Sequence, residues 1–342
     1  MNSPFDPRLW AEAARRRTAI ALAHPNIAFI KYWGNVDDAL RLPVNPSLSM
    51  NLGSLHTVTR VEFDPALPGD SLSVNGAEVT GAGLARVSHI LNIVRTQSGL
   101  TQPARVTSAG NFPVGSGIAS SAAAFAALAV AAAAAAGLPA EEAALSRLAR
   151  LGSGSASRSV PAGFCEWLPG DDATSVARSI APAEHWELVD LVAIVSREHK
   201  AVGSTGGHPL ARTSSLQAAR VAGAPSRQQA CKAALLARDL TAMGPVIEED
   251  AVIMHGVMMS SHPPLYYWNA ATMALIQATP QWRAEGLAVY FTIDAGPNVH
   301  LICLAAQAEA VAAAARRIPG VEDVLASGPG GPARLLASDD SA

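Results

Sequence analysis

Apolar and polar positions alternate over Thr57–Phe63, so that Thr57, Thr59, Val61 and Phe63 share one face, and this predicts a half-buried strand. The short stretch Ser71–Val74 runs into Asn75-Gly76, a dipeptide suited to a tight hairpin. The spacing then lengthens to three and four at Val87, Ile90, Leu91 and Val94, which predicts a helix over 84–95. Residues 122–138 are almost entirely apolar, and most are alanine. A helix buried on every side fits this run, starting near Ser120 and stopping at Gly137, with Pro139 just beyond. The run falls short of the ~20 residues that span a bilayer, and alanine is only weakly hydrophobic, so no membrane span is expected. A further helix is expected from near Ala140, where Glu141 and Glu142 suit its positive end.

Past the turn at Trp167 to Asp172, the apolar run 188–195 reads as a buried strand that opens a second half. Helical text occupies 210–250 and meets a break at Pro263-Pro264. Strands over 287–293 and 301–304 and a helix over 306–317 follow, and 339–342 reads as a frayed tail. No internal repeat is present. The whole predicts a two-lobed α+β chain, divided into 1–185 and 186–342.

Composition narrows the function. The chain has 342 residues, 49% of them hydrophobic and 15% charged, which excludes disorder for its bulk. A net charge of −3 and 5% aromatic residues argue against a nucleic-acid partner, which calls for a basic field or a stacking platform. Cys165, Cys231 and Cys303 are odd in number and far apart, so neither a disulfide framework nor a zinc site is expected, and a reducing cytoplasm is the plain reading. Residues 1–17 carry Asp6 and Glu12 and lack an apolar core, so they do not read as a signal peptide.

Four stretches carry chemistry. In 111–123 (Asn111, Pro113, Gly115, Ser116, Gly117, Ile118, Ala119, then Ser120 and Ser121) a glycine turn opens the alanine helix. Free backbone N–H groups and the helix dipole make such a place an anion site, although a serine cap after an ordinary turn accounts for the spacing equally well. In 152–159, Ser153, Gly154, Ser155 and Arg158 form either a cradle for a carboxylate or phosphate, or a flexible loop with a solvated arginine. Asp294 ends an apolar strand, where an acid can meet a substrate hydroxyl or merely start a turn. Lys31 lies in the apolar run Asn26 to Asn35, and burial there requires an acid or phosphate beside it unless the side chain snorkels outward.

In this order the four stretches resemble the GHMP superfamily of small-molecule kinases, and within it the mevalonate diphosphate decarboxylases. Matches run through Asn26 to Gly34, Pro113 to Ala122, Gly152 to Ser159 and Asp294 to Asn298, with weaker ones at Ser204-Thr205 and Met254-His255, so the resemblance covers about residues 20–335. It implies a two-lobed GHMP-kinase-like fold with the active site in the cleft between lobes. It also implies ATP and Mg2+ as cofactors, a phosphorylated mevalonate as the small-molecule partner, and no nucleic-acid or membrane partner. Homodimers are common among such relatives. Phosphorylation of the 3-hydroxyl would be followed by loss of phosphate and CO2. Asp294 would orient or deprotonate that hydroxyl, Lys31 would keep Asp294 ionised, and Arg158 would hold the substrate carboxylate. Asn111, Pro113 and the loop from Gly115 to Ala119 would bind ATP together with Ser120 and Ser121, one of which would meet the metal. Tyr32, Trp33, Gly34, Asn35, Ser153, Gly154, Ser155, Arg158, Ser204, Thr205 and His208 would line the substrate site.

Two departures bear on the substrate. Asn35 stands where the family carries a lysine, and Gly83 stands where it carries an arginine thought to touch the terminal diphosphate. Fewer cations point to a monophosphate tail, and hence to the phosphomevalonate decarboxylase branch, with mevalonate 5-phosphate as substrate and isopentenyl phosphate as product. The alternatives are the diphosphate enzyme with relocated cations, such as Arg86 or Arg212, a 3-kinase without decarboxylation, and a catalytically silent relative.

Overall fold

A computed structural model describes residues 5–112, 120–198 and 202–337. The alternation at Thr57–Phe63 becomes a strand whose odd-numbered residues are buried and whose even-numbered ones are half-buried or exposed. It lies between the antiparallel strands Thr18–Ala23 and Ala104–Gly110 in a sheet of six. Ser71–Val74 joins the far side of that sheet and turns back through Asn75 and Gly76, both at positive φ, into Ala77–Glu78. The strand Arg334–Leu335 closes the near edge, so the end of the chain returns to the first sheet.

The alanine run forms the helix Ser120–Ala136, with every residue from Ala126 to Ala136 buried. Alanine favours the helix, and its small side chain lets neighbours approach from all sides. The helix packs on Thr18–Ala23 and Thr57–Phe63 and is flanked by the helices Pro7–Arg16, Gly81–Ser98 and Glu142–Gly152. The face predicted for the second of these is the one it buries, with Val87, Ile90, Leu91 and Val94 turned inward. Among the described residues no helix is long and apolar enough to cross a membrane.

A second sheet, Ala177–Ala181, Phe164–Trp167, Ser47–Asn51 and Asn26–Ile30, brings the segment before Lys31 to an edge. The third, Val289–Thr292, Val299–Leu304, Leu188–Ile194 and Asp323–Ser327, ends a strand just before Asp294. Between them pack the long helices Gln217–Ala237 and Leu240–Met259, which begin later than the text at 210 implied because His208–Thr213 is a 3-10 turn.

Two helices carry little sequence signal. Pro7–Arg16 buries only Trp10 and Ala13 and depends on Asp6, whose carboxylate caps the Arg8 amide. Ala270–Ala284 contains Pro280, which masks it, yet Asn269 and Thr272 close its start with a reciprocal capping box.

Candidate active site

Strand, turn and helix ends converge on a cavity of about 520 Å3 lined by Lys31, Tyr32, Trp33, Ser120, Ser121, Ser153, Gly154, Ser155, Arg158, Ser204, Thr205, His208 and Asp294. The four stretches with chemical promise therefore meet, although Lys31 and Asp294 lie 263 positions apart in sequence. Pro113, Gly115, Ser116, Gly117, Ile118 and Ala119 lie outside the described residues.

Lys31 is buried to within 1% of full coverage, and its ammonium donates to Asp294 Oδ1 at 2.6 Å and to the Ala28 carbonyl at 2.7 Å. Burial lowers the lysine pKa, and the Asp294 charge opposes that shift. Burial is the largest single influence on the Asp294 carboxyl and raises it, but the Lys31 charge and hydrogen bond, together with the charges of His300 and Arg158, outweigh it and hold Asp294 below the ordinary carboxylate value. The backbone is held as firmly as the side chain. The Lys31 amide donates to Asp250 at 2.7 Å, and its carbonyl accepts from Arg220 and Asn45. Behind Asp294, His255 lies 3.1 Å from the Asp294 carbonyl oxygen, with its pKa lowered to about 3 by burial and by Lys31.

Arg158 is not a solvated loop residue. The segment Gly154–Ser159 is a buried 3-10 turn, and its arginine donates to Asn26 Oδ1 and Ser47 Oγ, both neutral acceptors. Burial lowers its pKa to about 10, so it remains a full cation at neutral pH. Gly154 is required by packing, because a Cβ there would sit 2.5 Å from the Tyr32 ring. The Tyr32 hydroxyl donates to Asn35, which itself donates to Asp38. Ser120 and Ser121 open the alanine helix, and Ser121 Oγ lies 3.1 Å from Ser153 Oγ.

His208 is inserted between aromatic rings, with centroids 4.2 Å from Tyr32 and 4.7 Å from Trp33. Its Nδ1 accepts from the Gly34 amide at 3.0 Å, which puts the proton of the neutral ring on Nε2. Burial and the nearby Arg41 lower its pKa to about 3. Gly34 itself adopts φ +94, a left-handed turn.

Three predicted residues are not in the cavity wall. Gly34 and Asn35 support it from behind, and Asn111 instead braces a surface turn through the His56 amide and the Ser54 carbonyl. Conversely, Arg41, Arg86 and Met254 do line the cavity. Arg41 gave no sequence signal because it sits in a two-stranded hairpin between Asn35–Asp37 and Leu42–Pro43. Arg212 points elsewhere and pairs with Asp38. A second, apolar cavity of about 340 Å3 adjoins the first and shares Arg86, Ser120 and Ser121 with it. Leu72, Val74, Val79, Val87 and Phe125 are among its other walls.

The sequence matches the diphosphomevalonate decarboxylase-like N-terminal domain over residues 23–180 and the mevalonate 5-diphosphate decarboxylase C-terminal domain over residues 190–327. A diphosphomevalonate decarboxylase of Aspergillus fumigatus is 36% identical over 325 residues, covering 88% of this chain and 80% of the relative. The solved structure of MDDEF in complex with MVAPP, AMPPCP and magnesium superposes with a TM-score of 0.88 at 35% identity, over 94% of this chain and 99% of the other. Mevalonate diphosphate decarboxylase from Staphylococcus aureus gives a TM-score of 0.88 at 34% identity, over 94% and 98%. The two-lobed α+β expectation and the GHMP-like fold stand. The monophosphate expectation does not, because relatives spanning both halves of the chain are named for the diphosphate, and one was solved with it. The physical reason is that the expectation weighs the loss of cations at positions 35 and 83 above the alternative of relocated ones, whereas the fold brings Arg86, which that alternative names, and Arg41 to the same cavity.

Proposed function

The chain belongs to the diphosphomevalonate decarboxylase family, and from that premise we propose that it converts mevalonate 5-diphosphate to isopentenyl diphosphate. ATP is consumed, and ADP, phosphate and CO2 are released. The observation that carries the reading is the buried Lys31 paired with the half-buried Asp294, facing a cavity that also holds Arg158.

Asp294, kept ionised by Lys31, accepts the hydrogen bond of the substrate 3-hydroxyl and draws off its proton as the oxygen attacks the γ-phosphorus of ATP. The bond from that phosphorus to the bridging oxygen breaks, and ADP departs. Phosphate is a far better leaving group than hydroxide. As the C3–O bond breaks, the pair of electrons joining the carboxylate carbon to C2 becomes the new C2–C3 double bond, and CO2 is freed. Arg158 holds the carboxylate in place with a guanidinium whose own hydrogen bonds go to the neutral acceptors Asn26 and Ser47. The His208 Nε2–H, with Ser153, Ser155, Ser204 and Thr205, donates to the substrate's polar groups. We assign the nucleoside to the apolar second cavity and its phosphates to the start of the alanine helix.

The described residues fit a magnesium nucleotide. They hold no cluster of three acidic, histidine or cysteine side chains, as suits an ion that takes most of its ligands from phosphate oxygens and water, with the Ser120 or Ser121 hydroxyl at hand. When bound, such an ion neutralises charge on the transferring phosphates. Three free, buried thiols support placement in a reducing cytoplasm.

The test offers the purified protein Mg-ATP with mevalonate 5-diphosphate, mevalonate 5-phosphate or mevalonate, following ADP and CO2 together. The expected result is equal release of both products, with the diphosphate preferred. Preference for the monophosphate, or ADP without CO2, overturns the reading.

A further inference from the structure

The third sheet turns Leu188, Val192, Ile194, Tyr290 and Ile302 into an apolar core shared with Phe29 and Ile30, the residues just before Lys31. Strand alternation puts Asp190 on that face beside Leu188 and Val192, and His300 beside Ile302. His300 Nδ1 lies 2.7 Å from Asp190 Oδ2, and both side chains are buried. The outer atoms of this pair, Asp190 Oδ1 and His300 Nε2, are buried with no hydrogen-bond partner among the described residues. Taking an acid and an imidazole out of water is costly, and apolar side chains of similar volume frequently serve a core as well or better. Polarity gains this core nothing, and the reason for the pair lies in what it faces.

In the strand register His300 stands directly opposite Thr292, where side chains are near neighbours. The Thr292 hydroxyl donates to the Ala28 carbonyl at 3.3 Å, and the same carbonyl takes the Lys31 ammonium at 2.7 Å. That ammonium bonds Asp294, two residues beyond Thr292. The imidazole thus lies one side chain behind the reacting pair. Burial raises the Asp294 carboxyl, and the His300 charge is among those, after that of Lys31, that bring it down. The other charged and titratable groups of this neighbourhood are Arg158 across the cavity, and His255 and Asp250 on the helix Leu240–Met259. His255 is kept neutral by burial and by Lys31, and Asp250 is taken up by the Lys31 amide and Arg227. Cys303 lies on the opposite face of the His300 strand. Among the described residues none of these hydrogen-bonds to His300 or Asp190.

We propose that Asp190 holds His300 as an imidazolium, and that this buried cation is a positioning residue for Asp294. It shares with Lys31 the task of keeping the acid ionised, and so sets how far toward acid pH the reaction runs. The inference rests on the role given to Asp294 in the proposed decarboxylation and adds to it a pair of residues that never touch substrate.

The test records kcat/KM for mevalonate 5-diphosphate against pH, under saturating Mg-ATP, in the parent, His300→Gln and His300→Lys. Glutamine removes the charge, and the acid limb should move upward by about half a pH unit or more. Lysine keeps a charge beside Asp190 and should hold the limb near its parent position. A second measurement does not depend on the variants: imidazole nitrogen-15 shifts of the uniformly labelled parent should show both His300 nitrogens protonated at about pH 6. An acid limb unmoved in His300→Gln overturns the proposal. So does an equal shift in His300→Lys, since a merely structural loss acts on both variants alike, and so does a His300 ring with one bare nitrogen at that pH. A parent protein that fails to decarboxylate the diphosphate overturns the underlying function instead, while the nitrogen shifts still report the charge on His300.

Discussion

The inner and outer parts of the main cavity handle charge in opposite ways. At the inner end, Lys31 and Asp294 neutralise one another at 2.6 Å, and Asp250, Arg220 and Asn45 hold the lysine backbone. Toward Arg41 and Arg86, positive charge meets neutral carbonyls and an aromatic ring among the described residues. A group that must stay ionised and aimed through a reaction needs its partner already present, since a buried charge without one is strongly destabilising. A group that binds an incoming anion works best with its charge uncompensated. The lesson is that the acid and lysine that must stay ionised through the reaction are paired, while the cations that receive the substrate's anions, Arg158 included, are held by neutral groups.

The largest break in this contrast is expected from Asp294→Asn. The amide can still accept from Lys31, so the fold should persist, but proton removal is lost, and kcat should fall by about 10²–10⁴. Steady-state ADP release checks this, and an unaffected rate would remove Asp294 from the chemistry. Arg158→Ala comes next, with turnover falling by roughly 10² as the carboxylate loses a charge-assisted partner worth about 3 kcal/mol. Nucleotide affinity, measured by titration calorimetry, should stay close to that of the parent. Collapse of ATP binding with turnover intact would mean that the arginine serves the nucleotide instead.

The inner end was legible in the sequence, and the outer part was not. Lys31, Arg158 and Asp294 each stand inside a long motif whose residue types are dictated by chemistry, so their meeting could be expected from the order of the motifs alone. The elements around them followed from periodicity, as at Thr57–Phe63 and the Gly81–Ser98 helix, whose four buried side chains are the four predicted. Arg41 stands in no such pattern. Its place in the cavity depends on a short hairpin and on a carbonyl 110 residues away, contacts that no local spacing encodes. Asn111 differs in the opposite sense: it adjoins a phosphate-loop motif, yet its side chain lies outside the main cavity wall and ties down a turn. Gly152 to Ser159 was ambiguous for a related reason: small polar residues read as flexible, yet here they are small so that the turn can be buried against Tyr32.

A smaller effect sharpens the contrast through pH. His208 faces the binding end and is neutral in the fold, with its pKa lowered from 6.5 to about 3. The unfolded chain takes up a proton there as pH falls below about 6.5, while the folded chain does not, so this residue makes stability decline as pH falls from about 6.5 toward 3. His208→Met removes the titrating group. Denaturation midpoints between pH 7 and pH 4 should therefore fall less steeply in the variant, by up to about 1.4 kcal/mol per pH unit for a single proton. Parallel slopes in the two proteins would show that His208 is not held neutral.

The most direct measurement is the equilibrium affinity for mevalonate 5-diphosphate of Asp294→Asn and Arg86→Gln, titrated side by side without ATP. The account predicts that the first binds at least as tightly as the parent, because a negative charge has left the cavity, while the second binds about tenfold more weakly. Equal weakening of both variants, or weakening of Asp294→Asn alone, would contradict the division of the cavity into a reacting end and a binding end.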